Sequence, residues 1–138
     1  MSTNYSIPRP ETNFLKYAIR GNALFSGISG LTLALLARGV SVLTGIQPPL
    51  AITITGLILI GYAAWLWRLT NQPAIPPASA WLVIALDVLW VVGSVLAILA
   101  GWSPLNQTGK WLVAILADVV GLFAVLQYLG LRRRGNSA

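Results

Sequence analysis

The sequence predicts an all-α membrane protein, built as a four-transmembrane-helix antiparallel bundle with both termini in the cytoplasm. Two observations carry the membrane part of this prediction. Hydrophobic residues make up 57% of the 138-residue chain and charged residues only 9%, whereas soluble domains carry about 25% charged residues. Four apolar stretches, residues 14–36, 50–69, 80–100 and 111–131, each approach the ~20 residues that a helix needs to cross a bilayer. A soluble bundle would need a polar face on every helix, and these stretches have none.

The apolar stretches divide the chain into three parts. A polar N-terminal tail, residues 1–13, precedes one membrane domain, residues 14–131, and a basic tail, residues 132–138, follows it. The first apolar run is too long for the hydrophobic region of a cleavable signal peptide, so we expect the first span to serve as the insertion signal.

Proline and glycine mark the connections between the predicted spans. All eight prolines fall outside the four spans, so we expect helices without proline kinks. The first connection, residues 37–49, is the longest, and Gly39 and Gly45 suit it to turns. The two later connections are short enough to make the helices that they join antiparallel neighbours.

The distribution of lysine and arginine indicates the orientation of the chain in the membrane. Seven of the nine basic residues lie on the side of both termini, and two, Arg38 and Lys110, lie on the other side. The positive-inside rule then places both termini in the cytoplasm. The short loops and this charge bias favour the inner membrane of a bacterial cell. Because the basic residues cluster at span ends, we expect no nucleic-acid binding despite the net charge of +6.

The basic C-terminal run has two compatible roles. Arg132, Arg133 and Arg134 support the predicted topology, and they can also attract anionic lipid headgroups at ~1 kcal/mol per charge. The lipid bilayer is therefore the first partner that we expect.

The absence of cysteine and histidine excludes several kinds of chemistry. It removes disulfides, thiolate nucleophiles, Cys/His zinc sites and His-ligated haem. We predict no metal site, no cofactor and no catalytic residues. An enzyme is the function class that we expect least, because only two separated aspartates and tyrosine would be left for general acid–base catalysis.

Two aspartates inside predicted spans are the leading site candidates. The chain has three acidic residues, and only Asp87 and Asp118 lie in the apolar stretches. A carboxylate at bilayer depth is costly and usually faces a bundle interior or a wet cavity. The segment from Trp81 to Asp87 resembles that from Trp111 to Asp118 with one residue inserted. Antiparallel helices then put Asp87 in the cytoplasmic half of the membrane and Asp118 in the outer half.

Helical periodicity gives each predicted span one stripe of polar or small residues, and we expect these stripes to converge. Their predicted depth in the membrane divides the polar residues into two groups. Asn22, Tyr62 and Asp87 form an inner cluster in the cytoplasmic half, and Asp118, Ser94 and Thr55 form an outer cluster in the other half. Arg20 is a further candidate partner for Asp87. Gln127 projects about 180° from Asp118 on an ideal helix, so we expect it to face outward and contact a second chain.

These residues leave two functions open. Buried polar side chains often hold membrane helices together, at ~0.6 kcal/mol per interhelical hydrogen bond, and a buried aspartate can be protonated and neutral. We therefore predict an accessory, assembly or oligomerising subunit that acts within a homo-oligomer or a larger membrane complex. The alternative is a small proton- or cation-coupled transporter or channel that uses Asp87 and Asp118 as intramembrane binding sites.

Overall fold

The computed structural model describes residues 10–101 and 105–136, with side chains for residues 14–101 and 105–133. The regular secondary structure of these residues is entirely helical and consists of five helices: α1 (Pro10–Leu35), α2 (Ala37–Thr44), α3 (Pro49–Thr70), α4 (Pro77–Leu99) and α5 (Gln107–Asn136). Helices α3, α4 and α5 are each long and apolar enough to cross a membrane, and α1 with α2 makes a fourth candidate if the bent pair is one span. The all-α prediction is confirmed for the part of the chain that the structure describes.

Prolines begin two of the long helices. Pro49 opens α3 and Pro77 opens α4. Proline fits the first helical turn because the N–H that it lacks would have no partner within the helix there. The predicted absence of proline from the helix interiors is confirmed for both helices.

The first connection differs from the prediction, because most of it is helical. Residues 37–44 form α2, which turns by 92° from α1. Gly39 lies inside α2 and not at a turn, whereas Gly45 ends the helix in the left-handed region at φ 86°. One side of α2 is buried through Ala37, Ser41 and Thr44. Gly39 and Gly45 resemble a turn signal, and the buried side of α2 carries Ser41 and Thr44 in place of large apolar residues, so the sequence pattern does not indicate a packed helix.

Helices α1 and α5 extend beyond the predicted bounds of the membrane domain. Helix α1 begins at Pro10, inside the predicted N-terminal tail, and residues 1–9 lie outside the described residues. Helix α5 continues to Asn136, so Arg132, Arg133 and Arg134 extend it and do not form a separate tail. The guanidinium of Arg133 lies 4.8 Å from the centre of the Phe14 ring, a cation–π contact that joins the two ends of the chain.

Helix α1 packs against both α3 and α5, and α5 in turn packs against α4. Helices α1 and α3 approach each other closely at Gly30 and Gly56. A Cβ added to Gly30 would lie 2.7 Å from the carbonyl oxygen of Gly56, and one added to Gly56 would lie 2.6 Å from that of Gly30. Glycine is therefore required at both positions for the two backbones to meet.

The apolar core lies toward the end of the bundle where the chain begins and ends. Its fully buried members come from three helices and include Leu15, Ile19, Leu66 and Val83. Tyr62 and Trp65 pack against this core. The polar cluster described below lies next to it.

Candidate functional site

One polar side chain from each of the four long helices meets at Asp87 of α4. Asn22 of α1 donates its amide Nδ2 to Asp87 Oδ2 at 2.7 Å, and Gln127 of α5 donates Nε2 to the same oxygen at 2.8 Å. The hydroxyl of Tyr62 on α3 donates to Asp87 Oδ1 at 3.0 Å. We call these four residues the Asp87 cluster. The inner grouping predicted from the sequence, Asn22 with Tyr62 and Asp87, is confirmed.

The members of the Asp87 cluster also bind one another. Asn22 Nδ2 donates to Gln127 Oε1 at 3.0 Å, and Ser26 Oγ donates to Asn22 Oδ1 at 3.2 Å. Asn22 thus uses both of its amide N–H groups and its carbonyl oxygen. Asp87 accepts three hydrogen bonds from neutral donors on three different helices. Such a network favours one arrangement of the four helices.

Three members of the Asp87 cluster are almost fully buried, and Tyr62 is partly buried. Asp87 is 4% exposed, Asn22 is 1% exposed and Gln127 is 0% exposed. A buried polar group without partners costs free energy, and here the partners come from within the chain. The cluster therefore acts chemically as a set of mutual hydrogen bonds that ties the helices together.

Arg20 does not bind Asp87, contrary to the sequence-based suggestion. Its Nε donates to Thr70 Oγ1 and its Nη2 to Asn71 Oδ1, both at 3.0 Å. The guanidinium also lies 4.9 Å from the centre of the Trp67 ring. Arg20 therefore fastens α1 to the carboxyl end of α3. The described residues contain no group of three or more His, Cys, Asp or Glu side chains that could hold a metal ion.

The predicted outer cluster does not form. Asp118 is exposed on the outside of α5. The hydroxyl of Thr55 donates to the Ala51 carbonyl at 2.9 Å, and that of Ser94 donates to the Trp90 carbonyl at 2.8 Å. Both hydroxyls bond to their own helix one turn back. The prediction that Asp118, Ser94 and Thr55 converge is wrong.

A one-residue insertion explains why the two aspartates face different ways. Asp87 follows Trp81 by six residues, and Asp118 follows Trp111 by seven. At about 100° per residue, Asp87 projects about 240° from its tryptophan and Asp118 within about 20° of its own. Trp81 and Trp111 are 51% and 63% exposed. Asp118 therefore shares the exposed face of Trp111, while Asp87 turns inward.

Gln127 is the site residue that sequence reasoning placed on the wrong side. It lies opposite Asp118 on α5, as predicted, but Gln127 is the buried residue and Asp118 the exposed one. A signal for this arrangement was present in the spacing of small and apolar residues. The buried face of α5 runs through Ala117, Val120, Ala124, Gln127 and Leu131. The opposite side of α5 has a similar three-and-four spacing, so the distinguishing signal is the pair of small residues Ala117 and Ala124, which allow close helix packing.

The opposite side of α5 is an exposed stripe with a carboxylate in it. We call it the α5 outer face; it consists of Trp111, Ile115, Asp118, Leu122, Val125 and Leu129. Asp118 lies about 17 Å along the axis from Gln107 at 1.5 Å per residue, close to the middle of the candidate span Gln107–Arg133. The hydrogen bonds between the described side chains do not include Asp118.

Comparison with protein families, curated proteins and solved structures finds no match for this chain.

Proposed function

We propose that the chain forms a four-span bundle in the inner membrane of the cell, with α1 as the first span and both termini in the cytoplasm. The division of basic residues, seven against two, supports this orientation. The 92° bend between α1 and α2 suits an α2 that lies along the outer membrane surface, with Val42 and Leu43 exposed toward lipid.

Within that membrane, the protein acts as an accessory or assembly subunit that binds another transmembrane segment through the α5 outer face. The single observation that carries this proposal is the exposed position of Asp118 near the middle of a candidate span. An aspartate at the centre of a membrane helix costs roughly 2.5–3.5 kcal/mol on insertion scales. A partner that covers Asp118 and donates hydrogen bonds to it removes much of this cost.

The Asp87 cluster supports the same function by holding the four long helices in one arrangement. Its carboxylate already accepts three hydrogen bonds from within the chain. A bundle held this way presents the α5 outer face as a rigid surface. Rigid surfaces bind with a smaller loss of conformational entropy than flexible ones.

The alternative is a small proton- or cation-coupled transporter that uses Asp87. The buried carboxylate supports it, because intramembrane acids often mark ion pathways. A route that passes from Asp87 to Asp118 is not supported, because Asp118 lies on the outside of α5. We therefore place assembly first.

Native mass spectrometry of the protein released gently from its own membrane tests the proposal. We expect wild-type particles heavier than the 14.8 kDa chain, and we expect Asp118→Leu to release the chain as a monomer. The leucine is apolar, so this variant should insert and fold. The matched control is Leu57→Val, on an exposed part of α3, which should keep the wild-type mass.

Two results would contradict the assembly proposal. If Asp118→Leu kept the wild-type complex, the α5 outer face would not be the contact. If the wild-type protein were a monomer and Asp87→Asn abolished a proton or cation flux into liposomes, the transporter reading would replace it.

A further inference from the structure

We infer that the segment bound by the α5 outer face is a transmembrane helix of another protein that carries a lysine or arginine near its middle, paired with Asp118. This inference rests on the proposed function and adds the chemistry of the partner. The reason is that the chain has few basic or hydroxyl side chains of its own that could pair with Asp118 at its depth in the membrane.

A second copy of the chain is a poor source of a cation at that depth. Among the basic residues with described side chains, Lys16, Arg68, Arg132 and Arg133 lie toward the end of the bundle where the chain begins and ends, and Arg38 and Lys110 lie toward the other end. Arg20 lies in the interior of α1, but its guanidinium binds Thr70 and Asn71 at the carboxyl end of α3. Lys110 lies on the same helix as Asp118, but eight residues away, about 12 Å along the axis. Copies lying side by side would therefore leave Asp118 far from every one of these charges.

A symmetric contact between two copies brings a further difficulty. A two-fold axis along the membrane normal would place Asp118 of one copy against Asp118 of the other. Two carboxylates in contact repel each other when both are ionised, so this contact would require at least one of them to be protonated. A copy inserted in the opposite direction conflicts with the bias of seven basic residues against two.

Three hydroxyl groups that a second copy could offer already donate within their own helices. Thr32, Thr55 and Ser94 each donate to the carbonyl four residues earlier in their own helix. A lysine or arginine adds charge attraction to its hydrogen bond with a carboxylate, and arginine can donate to both carboxylate oxygens at once. The ligand that best suits the exposed carboxylate is therefore a cation, and it has to come from another chain.

The shape of the α5 outer face fits a helix as the carrier of that cation. Its six positions follow one another at alternating intervals of four and three residues, which is the spacing of the seam between two helices that coil around each other. Asp118 occupies an inner position of this seam, with apolar side chains on both sides. A single polar position in such a seam determines the register of the pair.

The test uses synthetic single-span helices of leucine that differ only in their central residue: arginine, lysine, glutamine, aspartate or leucine. The chain contains no cysteine, so Thr108→Cys, at an exposed site at the start of α5, gives one position for a fluorescent donor. Energy transfer to acceptor-labelled helices in liposomes then reports association. We expect the arginine and lysine helices to bind at least tenfold more tightly than the leucine helix.

Charge reversal provides the control for structural damage. In Asp118→Leu the preference for arginine and lysine helices should disappear. In Asp118→Lys a helix with a central aspartate should bind with at least tenfold preference over the leucine helix. Leu57→Val should behave as the wild type in both comparisons.

Three outcomes would overturn the proposal of a cationic partner without contradicting the assembly role, which is tested separately by the native mass of the Asp118→Leu variant. The glutamine helix could bind as tightly as the arginine helix. Wild-type protein could show no preference among the helices although Asp118→Leu still dissociates the native complex. Leu122→Cys could form a disulfide between two copies in the native membrane at high yield, which would identify a second copy as the occupant. If Asp118→Leu left the native mass unchanged, the assembly role itself would fail.

Discussion

Replacement of Asp87 by alanine should destabilise the bundle, because this carboxylate joins α4 to the other three long helices. It accepts hydrogen bonds at 2.7, 2.8 and 3.0 Å from Asn22, Gln127 and Tyr62. Interhelical hydrogen bonds in membranes average ~0.6 kcal/mol and reach ~1.7 kcal/mol. Three of them together predict a loss of about 2 to 5 kcal/mol in the free energy of unfolding.

Asparagine at the same position should be much milder. Its amide oxygen can still accept from Asn22 and Gln127, and its amide nitrogen can donate to the Tyr62 hydroxyl, which rotates to accept. We expect Asp87→Asn to cost no more than about one average bond, ~0.6 kcal/mol. Asp118→Ala is the matched control, because Asp118 is exposed and its removal should not lower the stability of the isolated chain.

Reversible unfolding in mixed micelles with a rising fraction of sodium dodecyl sulfate measures these differences. The six tryptophans provide a fluorescence signal, and circular dichroism reports helix content. The reasoning would be refuted if Asp87→Ala unfolded at the wild-type midpoint with an unchanged slope. It would also be refuted if Asp87→Asn were as unstable as Asp87→Ala, because hydrogen-bond number would then not explain the effect.

Three further predictions concern other contacts. Gly56→Ala would place a Cβ 2.6 Å from a carbonyl oxygen of α1. We expect it to lower the free energy of unfolding by about 1–3 kcal/mol in the same micelle assay. The control is Gly61→Ala, whose added Cβ would have no heavy atom within 4 Å and which should stabilise α3 by up to about 1 kcal/mol. Asn106→Ala removes the oxygen that accepts the Gly109 N–H at 2.7 Å and should cost ~1 kcal/mol, seen as faster hydrogen exchange at the start of α5. Arg20→Lys loses the forked contact with the carboxyl end of α3, and limited proteolysis should cut residues 71–76 faster than in the wild type.

Much of this protein follows from sequence pattern alone. Long apolar stretches require helices in a membrane, because every backbone N–H and C=O group must be satisfied within the segment. Proline at the first turn explains where α3 and α4 begin. Depth and helical period together identify Asn22, Tyr62 and Asp87 as neighbours, since each lies on the polar stripe of its own helix at the same level.

Only the tertiary structure decides which side of α5 faces inward. The sequence places Asp118 and Gln127 half a turn apart, but in a membrane both sides of a helix are apolar, so hydrophobicity does not distinguish the buried side from the lipid side. Close packing does: the stripe with Ala117 and Ala124 fits against its neighbours, and Gln127 lies in that stripe. The bend into α2 is likewise a product of packing, because local propensity in a segment of eight residues is too weak to determine its direction.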